Sequence, residues 1–158
     1  MIPELVKSAL DARNHAYAPY SRYKVGAALL ASDGRIYQGC NVENASYGAT
    51  NCAERTAFFK AVSEGIRRFG AIAIAGGPEG EPITEYAYPC GICRQVMQEF
   101  CDSKFQIIVV KSENDFSQQR LQIKITGPGQ CPDPVCRIYF LAFSSLFLRR
   151  FLTSSDMG

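Results

Sequence analysis

Residues 71–77 read AIAIAGG, residues 90–100 read CGICRQVMQEF and residues 106–110 read QIIVV, and the fold class follows from these three segments. The outer two are short and apolar, as buried strands are, and the middle one has the composition of a helix. A loop rich in Gly, Pro and Glu at residues 76–85 separates the first strand from the helix. Strand, helix and strand in this order predict a right-handed crossover between parallel strands.

The segments before this unit predict the remaining layers. Residues 3–16 carry apolar side chains at helical spacing, and residues 24–43 read as two strands around the turn residues Asp33-Gly34. Residues 51–64 favour a second helix, which Gly65 ends. A hairpin joined to the crossover gives an α/β domain, a three-layer α/β/α sandwich with a mixed β-sheet.

Composition limits the partners and the compartment. The chain has 158 residues, of which 47% are hydrophobic, enough for one core in one domain. A net charge of +2 without a basic stripe gives no reason to expect nucleic acid as a partner. The amino terminus lacks the apolar run of a signal peptide, which predicts a cytoplasmic protein. The uncharged tract at residues 138–148 is shorter than the roughly 17 to 25 residues of a membrane-spanning helix, so no membrane partner is expected.

Three cysteines are the candidate metal ligands. Cys52 opens the second predicted helix, and Cys90 and Cys93 lie in the first turn of the third. Helix amino termini favour thiolate, the form of cysteine that binds metal. Three protein ligands leave one tetrahedral position for water, as in a catalytic zinc site, whereas a structural site has four. Cys131 and Cys136 are two further sulfurs that could compete.

Two charged residues follow the first cysteine. Glu54 is close enough to Cys52 to hydrogen-bond a metal-bound water without binding the metal, which predicts a proton shuttle. Arg55 lies three residues after Cys52, so its guanidinium is expected to reach a ligand sulfur and offset the excess charge of three thiolates. The alternative for Glu54 is structural, because Asn51-x-x-Glu54 also resembles a helix cap.

Four segments resemble the cytidine deaminase family, in its order and at its spacing: YKVGAALL (23–30), GCNVENASYG (39–48), CAERTA (52–57) and PCGICRQVMQEF (89–100). The resemblance covers roughly residues 5 to 115. It implies a hydrolase of pyrimidine salvage that uses Zn²⁺ to convert free cytidine and deoxycytidine to uridine and deoxyuridine plus ammonia. The Cys-Ala-Glu form of the motif is similar to that of the small homotetrameric members, which implies a homotetramer.

The resemblance also implies the substrate contacts. It assigns the ribose to Asn41 and Glu43, and alternation along an extended segment places these two side chains on one face and Val42 in the core. Tyr23 stands in a segment that packs beside the substrate. Ala45 and Tyr47 match a loop that closes the pocket of a neighbouring subunit.

The carboxy-terminal part departs from the family. Residues 1–117 are predicted to form the catalytic domain, and residues 118–158 an atypical segment without the family's ELLP-like helix and the Phe-Gly pair whose ring covers the base. Two alternatives therefore stay open: a deaminase of a modified aminopyrimidine nucleoside, and a non-catalytic zinc-binding assembly subunit. Editing of RNA or single-stranded DNA would need a positive channel with stacking aromatic residues, which the sequence does not show.

Overall fold

The structure, a computed structural model, describes residues 1–121 of the chain. Cys131, Cys136, the tract 138–148 and most of the segment 118–158 lie outside the described residues. No helix among the described residues is long and apolar enough to cross a membrane. In chain order the elements are α1 (Ile2–Arg13), β1 (Tyr23–Ala31), β2 (Ile36–Cys40), α2 (Ala53–Ser63), β3 (Phe69–Pro78), α3 (Gly91–Phe100), β4 (Gln106–Ser112) and β5 (Asp115–Arg120).

The five strands form one mixed sheet in the order β2-β1-β3-β4-β5. The pairs β1–β2, β1–β3 and β4–β5 are antiparallel, whereas β3 and β4 are parallel with Ile72 opposite Ile107. The predicted hairpin and the predicted parallel strand pair are therefore confirmed, and both belong to the same sheet.

Apolar side chains on both faces of the sheet create two cores. On one face the α1 residues Leu5, Val6 and Ala9 are buried in a cluster with side chains of β1, β3 and β4. On the other face α2 and α3 pack together on the sheet and bury Phe58 and Met97. The strands β1, β3 and β4 supply both clusters because successive side chains of a strand point to opposite faces. The three-layer α/β/α prediction is confirmed.

Two glycines mark where α2 lies: Gly39 lets the start of the helix approach β2, and Gly65 follows its end. A Cβ atom at Gly39 in β2 would overlap the carbonyl oxygen of Ala53 and the amide nitrogen of Ala57, so the first turn of α2 lies directly on the β2 backbone. Gly65 follows the helix with φ of 89°, the left-handed conformation predicted from the sequence. The start of α2, where Cys52 and Glu54 lie, is thereby held against the sheet.

One helix boundary and one strand differ from the predictions. The first helix ends at Arg13 and not at residue 16, where the chain turns toward β1. The strand β5 was not predicted, because its residues are mostly polar and exposed and show no apolar alternation. Its strand conformation is stabilised by backbone pairing with β4 and not by an apolar side-chain pattern. The domain boundary placed after Ser117 stays a prediction, because the structure describes residues 1–121 alone.

Candidate active site

Three cysteine sulfurs converge where two helices begin. Cys52 and Cys90 are the N-cap residues of α2 and α3, and Cys93 is buried in the first turn of α3. The three sulfurs lie within 4.8 Å of one another, with 3.9 Å between those of Cys52 and Cys90. Tetrahedral zinc with Zn–S bonds of about 2.3 Å places its sulfurs about 3.8 Å apart. The donor set and its spacing therefore fit zinc, and no other such group is found in residues 1–121.

The pKa values of Cys52 and Cys93 are shifted in opposite directions. The pKa of Cys52 falls to about 5, chiefly because the Cys93 thiol hydrogen-bonds to its sulfur, with Arg55 and Cys90 adding to the effect against the cost of burial. The pKa of Cys93 is raised, because its thiol is the partner in that hydrogen bond and because it is buried. These shifts favour thiolate at Cys52, whose sulfur lies 3.7 Å from Nη2 of Arg55.

Arg55 lies in the first turn of α2, three residues after Cys52, and its side chain reaches the cysteine cluster. Its Nη2 donates to the carbonyl oxygen of Thr50 at 3.0 Å and lies 3.7 Å from the sulfur of Cys52. Its Nε is buried without a hydrogen-bond partner in the part of the chain that the structure describes. The side chain thus lies where the sequence placed it, and its role in offsetting the charge of the thiolates stays a prediction.

Glu54 is a buried carboxyl group beside the sulfurs. Its side chain is 4% exposed and lines the same cavity as Cys52 and Cys90. Burial is the main reason that its pKa is raised to about 7; a backbone hydrogen bond opposes the shift, and the negative charge of Cys52 adds to it. A carboxyl group with this pKa takes up and releases a proton near neutral pH, as a general acid and base must.

The helix-cap alternative for Glu54 is wrong. The N-cap of α2 is Cys52, which makes no side-chain capping hydrogen bond. The side chain of Asn51 instead donates to the hydroxyl of Thr56 at 3.0 Å. Asn51 stands one position too early to cap the helix, which leaves the carboxyl group of Glu54 free to face the cavity.

The buried carboxyl makes the stability of the metal-free protein depend on pH. The pKa of Glu54 is raised in the folded state, so its contribution to stability is fully present below the unfolded value of 4.5 and is lost as pH rises through about 7. We expect metal-free Glu54→Gln to be more stable than the metal-free wild type at pH 8, by up to about 3 kcal/mol, and to match it near pH 4.5. Urea unfolding at both pH values measures the difference. Glu99→Gln, an exposed position on α3, serves as the control, and an equal gain there would contradict the assignment.

A cavity of about 390 Å³ opens beside the sulfurs and Glu54. Of the residues predicted to contact substrate, Tyr23 and Asn41 line it, whereas Glu43, Ala45 and Tyr47 do not. The sequence signal for additional wall residues is weak, and the YAY segment at residues 86–88, directly before Pro89 and Cys90, was assigned to no element. The lining residues missed by sequence reasoning are Val25, Thr50, Asn51, Ala53, Ile74, Tyr86, Ala87 and Tyr88.

The two residues assigned to the ribose are held by backbone hydrogen bonds. The Asn41 side chain accepts from the amide of Val25 at 2.8 Å and donates to the carbonyl of Tyr23 at 2.9 Å. The Glu43 carboxylate accepts from the amide of Tyr20 and from both the amide and the hydroxyl of Ser21. The hydrogen bond from the Ser21 hydroxyl is the main cause of the lowered pKa of Glu43. Both side chains are therefore oriented before any ligand binds.

The prediction that Val42 points into the core is wrong. Val42 is 43% exposed, whereas Asn41 and Glu43 on either side of it are 9% and 8% exposed. Alternation holds along this segment, but the inward side belongs to the two polar residues because their hydrogen bonds are made there. Tyr47 is 76% exposed and its ring packs edge-on against Tyr20, with centroids 6.5 Å apart.

Residues 2–109 match the family model described as the cytidine and deoxycytidylate deaminase zinc-binding region. The chain belongs to this deaminase family. The match spans the three cysteines and Glu54, and the sulfur spacing fits zinc, so Zn²⁺ as the cofactor is confirmed. The predicted resemblance is confirmed by the same match.

Individual members of the deaminase family are similar over most of their length. A cytidine deaminase of Sporosarcina psychrophila is 50% identical over 126 residues, which are 80% of this chain and 89% of that protein. A cytidine deaminase of Halalkalibacterium halodurans is 50% identical over 125 residues, 79% and 89% of the two chains. The crystal structure of the Burkholderia pseudomallei cytidine deaminase superposes with a TM-score of 0.68 at 45% identity, covering 75% of this chain and 91% of that one.

Proposed function

We propose that the protein is a zinc-dependent deaminase that hydrolyses free cytidine and deoxycytidine to uridine and deoxyuridine plus ammonia. The observation that carries the proposal is the buried carboxyl of Glu54 in the same cavity as Cys52 and Cys90. We assign Cys52, Cys90 and Cys93 as the metal ligands and Glu54 as the catalytic residue. The names of the relatives support the substrate class.

The chemistry requires one water molecule and two proton transfers. When bound, zinc supplies the activation of water, whose pKa falls from about 15.7 to near 7 in such sites. Glu54 accepts the proton that the attacking water gives up and delivers it to N3 of the pyrimidine, while the water oxygen bonds to C4. A second proton, from the hydroxyl now bonded to C4, passes through Glu54 to the exocyclic nitrogen as the C4–N bond breaks and the C4 carbonyl forms. Water is consumed, ammonia leaves, and the carboxylate returns to its starting state.

The cavity supports a small nucleoside as the substrate. Its volume of about 390 Å³ is near the lower end of the range for small-molecule pockets. Asn41 and Tyr23 lie on its wall, and we propose that Asn41 and the neighbouring Glu43 contact the ribose. The net charge of +2 without a basic stripe argues against a polymeric nucleic acid.

Cytidine turnover tests the function and separates it from its alternatives. We expect the zinc-loaded full chain to deaminate cytidine and deoxycytidine, measured as the fall in ultraviolet absorbance with one ammonia released per nucleoside. Turnover of a modified aminopyrimidine nucleoside without turnover of cytidine would support the first alternative. Zinc binding without turnover of either would support the assembly-subunit alternative.

We further propose a cytoplasmic homotetramer that acts in pyrimidine salvage. Tyr17, Tyr20, Val42 and Tyr47 are exposed large hydrophobic residues; the rings of Tyr20 and Tyr47 pack together, and Tyr17 pairs with Val42. Tyr47 does not line the cavity of its own chain, which agrees with a role, together with Ala45, at the cavity of a neighbouring subunit. Light scattering coupled to gel filtration measures the assembly, and a monomer at micromolar concentration would contradict it.

Replacement of Arg55 tests the proposed charge compensation. In Arg55→Ala the guanidinium 3.7 Å from the Cys52 sulfur is lost, so we expect zinc to stay near one equivalent while kcat falls roughly tenfold. Arg55→Lys keeps a charge but not the planar donor, and we expect an intermediate rate. Metal analysis and kcat measured on the same preparations decide the matter. An unchanged kcat in Arg55→Ala would remove this role.

A further inference from the structure

Tyr86 lines the cavity, and the residues that hold its ring belong to none of the four segments that resemble the deaminase family. It lies between β3 and α3 and is half-buried. Its hydroxyl donates to Oδ1 of Asp115 at 2.6 Å, and the ammonium of Lys111 stands 4.3 Å from its ring centroid. Asp115 begins β5 and Lys111 lies in β4, so the hairpin β4–β5 holds the ring from two directions.

The hydrogen bond between Tyr86 and Asp115 is an important restraint on the segment that contains Tyr86. Residues 82–88 belong to no helix or strand, and within the described chain the bond between Tyr86 and Asp115 is their only hydrogen bond to another residue. The other restraints on the segment are apolar contacts: Tyr86 and Ala87 pack against one core, and Ile83 packs against the other. Tyr86, Ala87 and Tyr88 from this segment all line the cavity. Among residues 1–121, the one hydrogen bond that restrains this part of the wall is thus made to a carboxylate that does not itself line the cavity.

We propose that Asp115 is a positioning residue for the substrate cavity: by accepting the hydrogen bond from Tyr86, it holds residues 82–88 in place as a wall and thereby sets the affinity for nucleoside. The inference rests on the proposed function and goes beyond it, because it assigns a role to a strand that the metal centre does not use. Lys111 restricts the same ring through its contact with the aromatic face.

The expected effect is on affinity and is modest. The bond lies at the surface, where competition with water reduces the contribution of a single hydrogen bond. In Asp115→Ala we expect KM for cytidine to rise roughly threefold to tenfold, and the dissociation constant of the product uridine to rise in parallel. The value of kcat should stay within about twofold, because the hydrogen bond between Tyr86 and Asp115 involves neither Glu54 nor the three cysteines. Tyr86→Phe keeps the ring but removes the hydroxyl, and should behave in the same way.

The experiment is a double-mutant cycle on the zinc-loaded full chain. Asp115→Ala, Tyr86→Phe and the double variant are compared by KM, kcat, zinc content and calorimetric binding of uridine. Asp115→Asn retains the accepting oxygen and should restore a KM near that of the wild type. Glu113→Ala, an exposed carboxylate in the same turn without a recorded side-chain contact among the described residues, is the matched control.

Two results together support the proposal. The KM of the double variant is no higher than that of either single variant, and Asp115→Asn and Glu113→Ala keep a KM near that of the wild type. Additive effects, an unchanged KM in Asp115→Ala, or an equal rise in Glu113→Ala would overturn it while leaving the function in place. A wild-type chain that neither turns over cytidine nor binds uridine would overturn the function and this proposal together.

Discussion

Glu54→Gln is expected to lower kcat for cytidine by roughly 10²- to 10⁴-fold while zinc stays near one equivalent. Glutamine has almost the same shape and keeps a hydrogen-bonding side chain, but it cannot accept the proton of the attacking water or return one to the base. The three cysteine ligands are untouched, so the metal should remain. The carboxyl group is 4% exposed, so bulk water has little access to replace it as the base.

The controls for this variant separate chemistry from folding. Glu99→Gln makes the same chemical change at an exposed position on α3 and should leave kcat unchanged. Metal content and uridine binding of Glu54→Gln show whether the cavity is intact. Retention of more than about a tenth of the wild-type kcat would show that Glu54 is not the main proton carrier.

Cys93→Ala is expected to abolish zinc binding at micromolar metal and to remove turnover with it. Cys93 supplies the buried sulfur of the cluster, and its loss leaves two protein ligands, one fewer than a catalytic zinc site normally has. We expect zinc affinity to fall roughly a thousandfold or more, and zinc to lose its stabilising effect on the folded chain. Metal analysis after dialysis, and thermal unfolding with and without added zinc, measure both effects.

Cys101→Ala is the matched control for the cysteine replacement. Cys101 is half-buried, and burial raises the pKa of its thiol to about 12, so it has the character of a small apolar side chain and not of a metal ligand. This variant should keep zinc and turnover. One equivalent of zinc in Cys93→Ala would mean that the cluster is not the metal site.

Much of the fold was predictable because its signals are local. The apolar segments 71–77 and 106–110, the helix between them and the Asp33-Gly34 turn each carry their pattern within a few residues. The convergence of the cysteines was also predictable, since both helices that carry them begin at a cysteine and pack on one face of the sheet.

The features missed by sequence reasoning depend on contacts between distant residues. The strand β5 is polar and is ordered by pairing with β4, so no periodicity marks it. Val42 was assigned to the core because alternation places it on the face opposite Asn41 and Glu43, but the hydrogen bonds of those two residues are made on the inward side. The contact between Tyr86 and Asp115 joins residues 29 positions apart and leaves no local trace.

The most direct test of the metal centre and its activity is the rate of cytidine deamination by the purified full chain, titrated from the metal-free form with zinc. The account predicts that activity appears in proportion to zinc and saturates at one equivalent per chain. A rate that saturates at another stoichiometry, or a zinc-saturated chain without any turnover of cytidine, would contradict it.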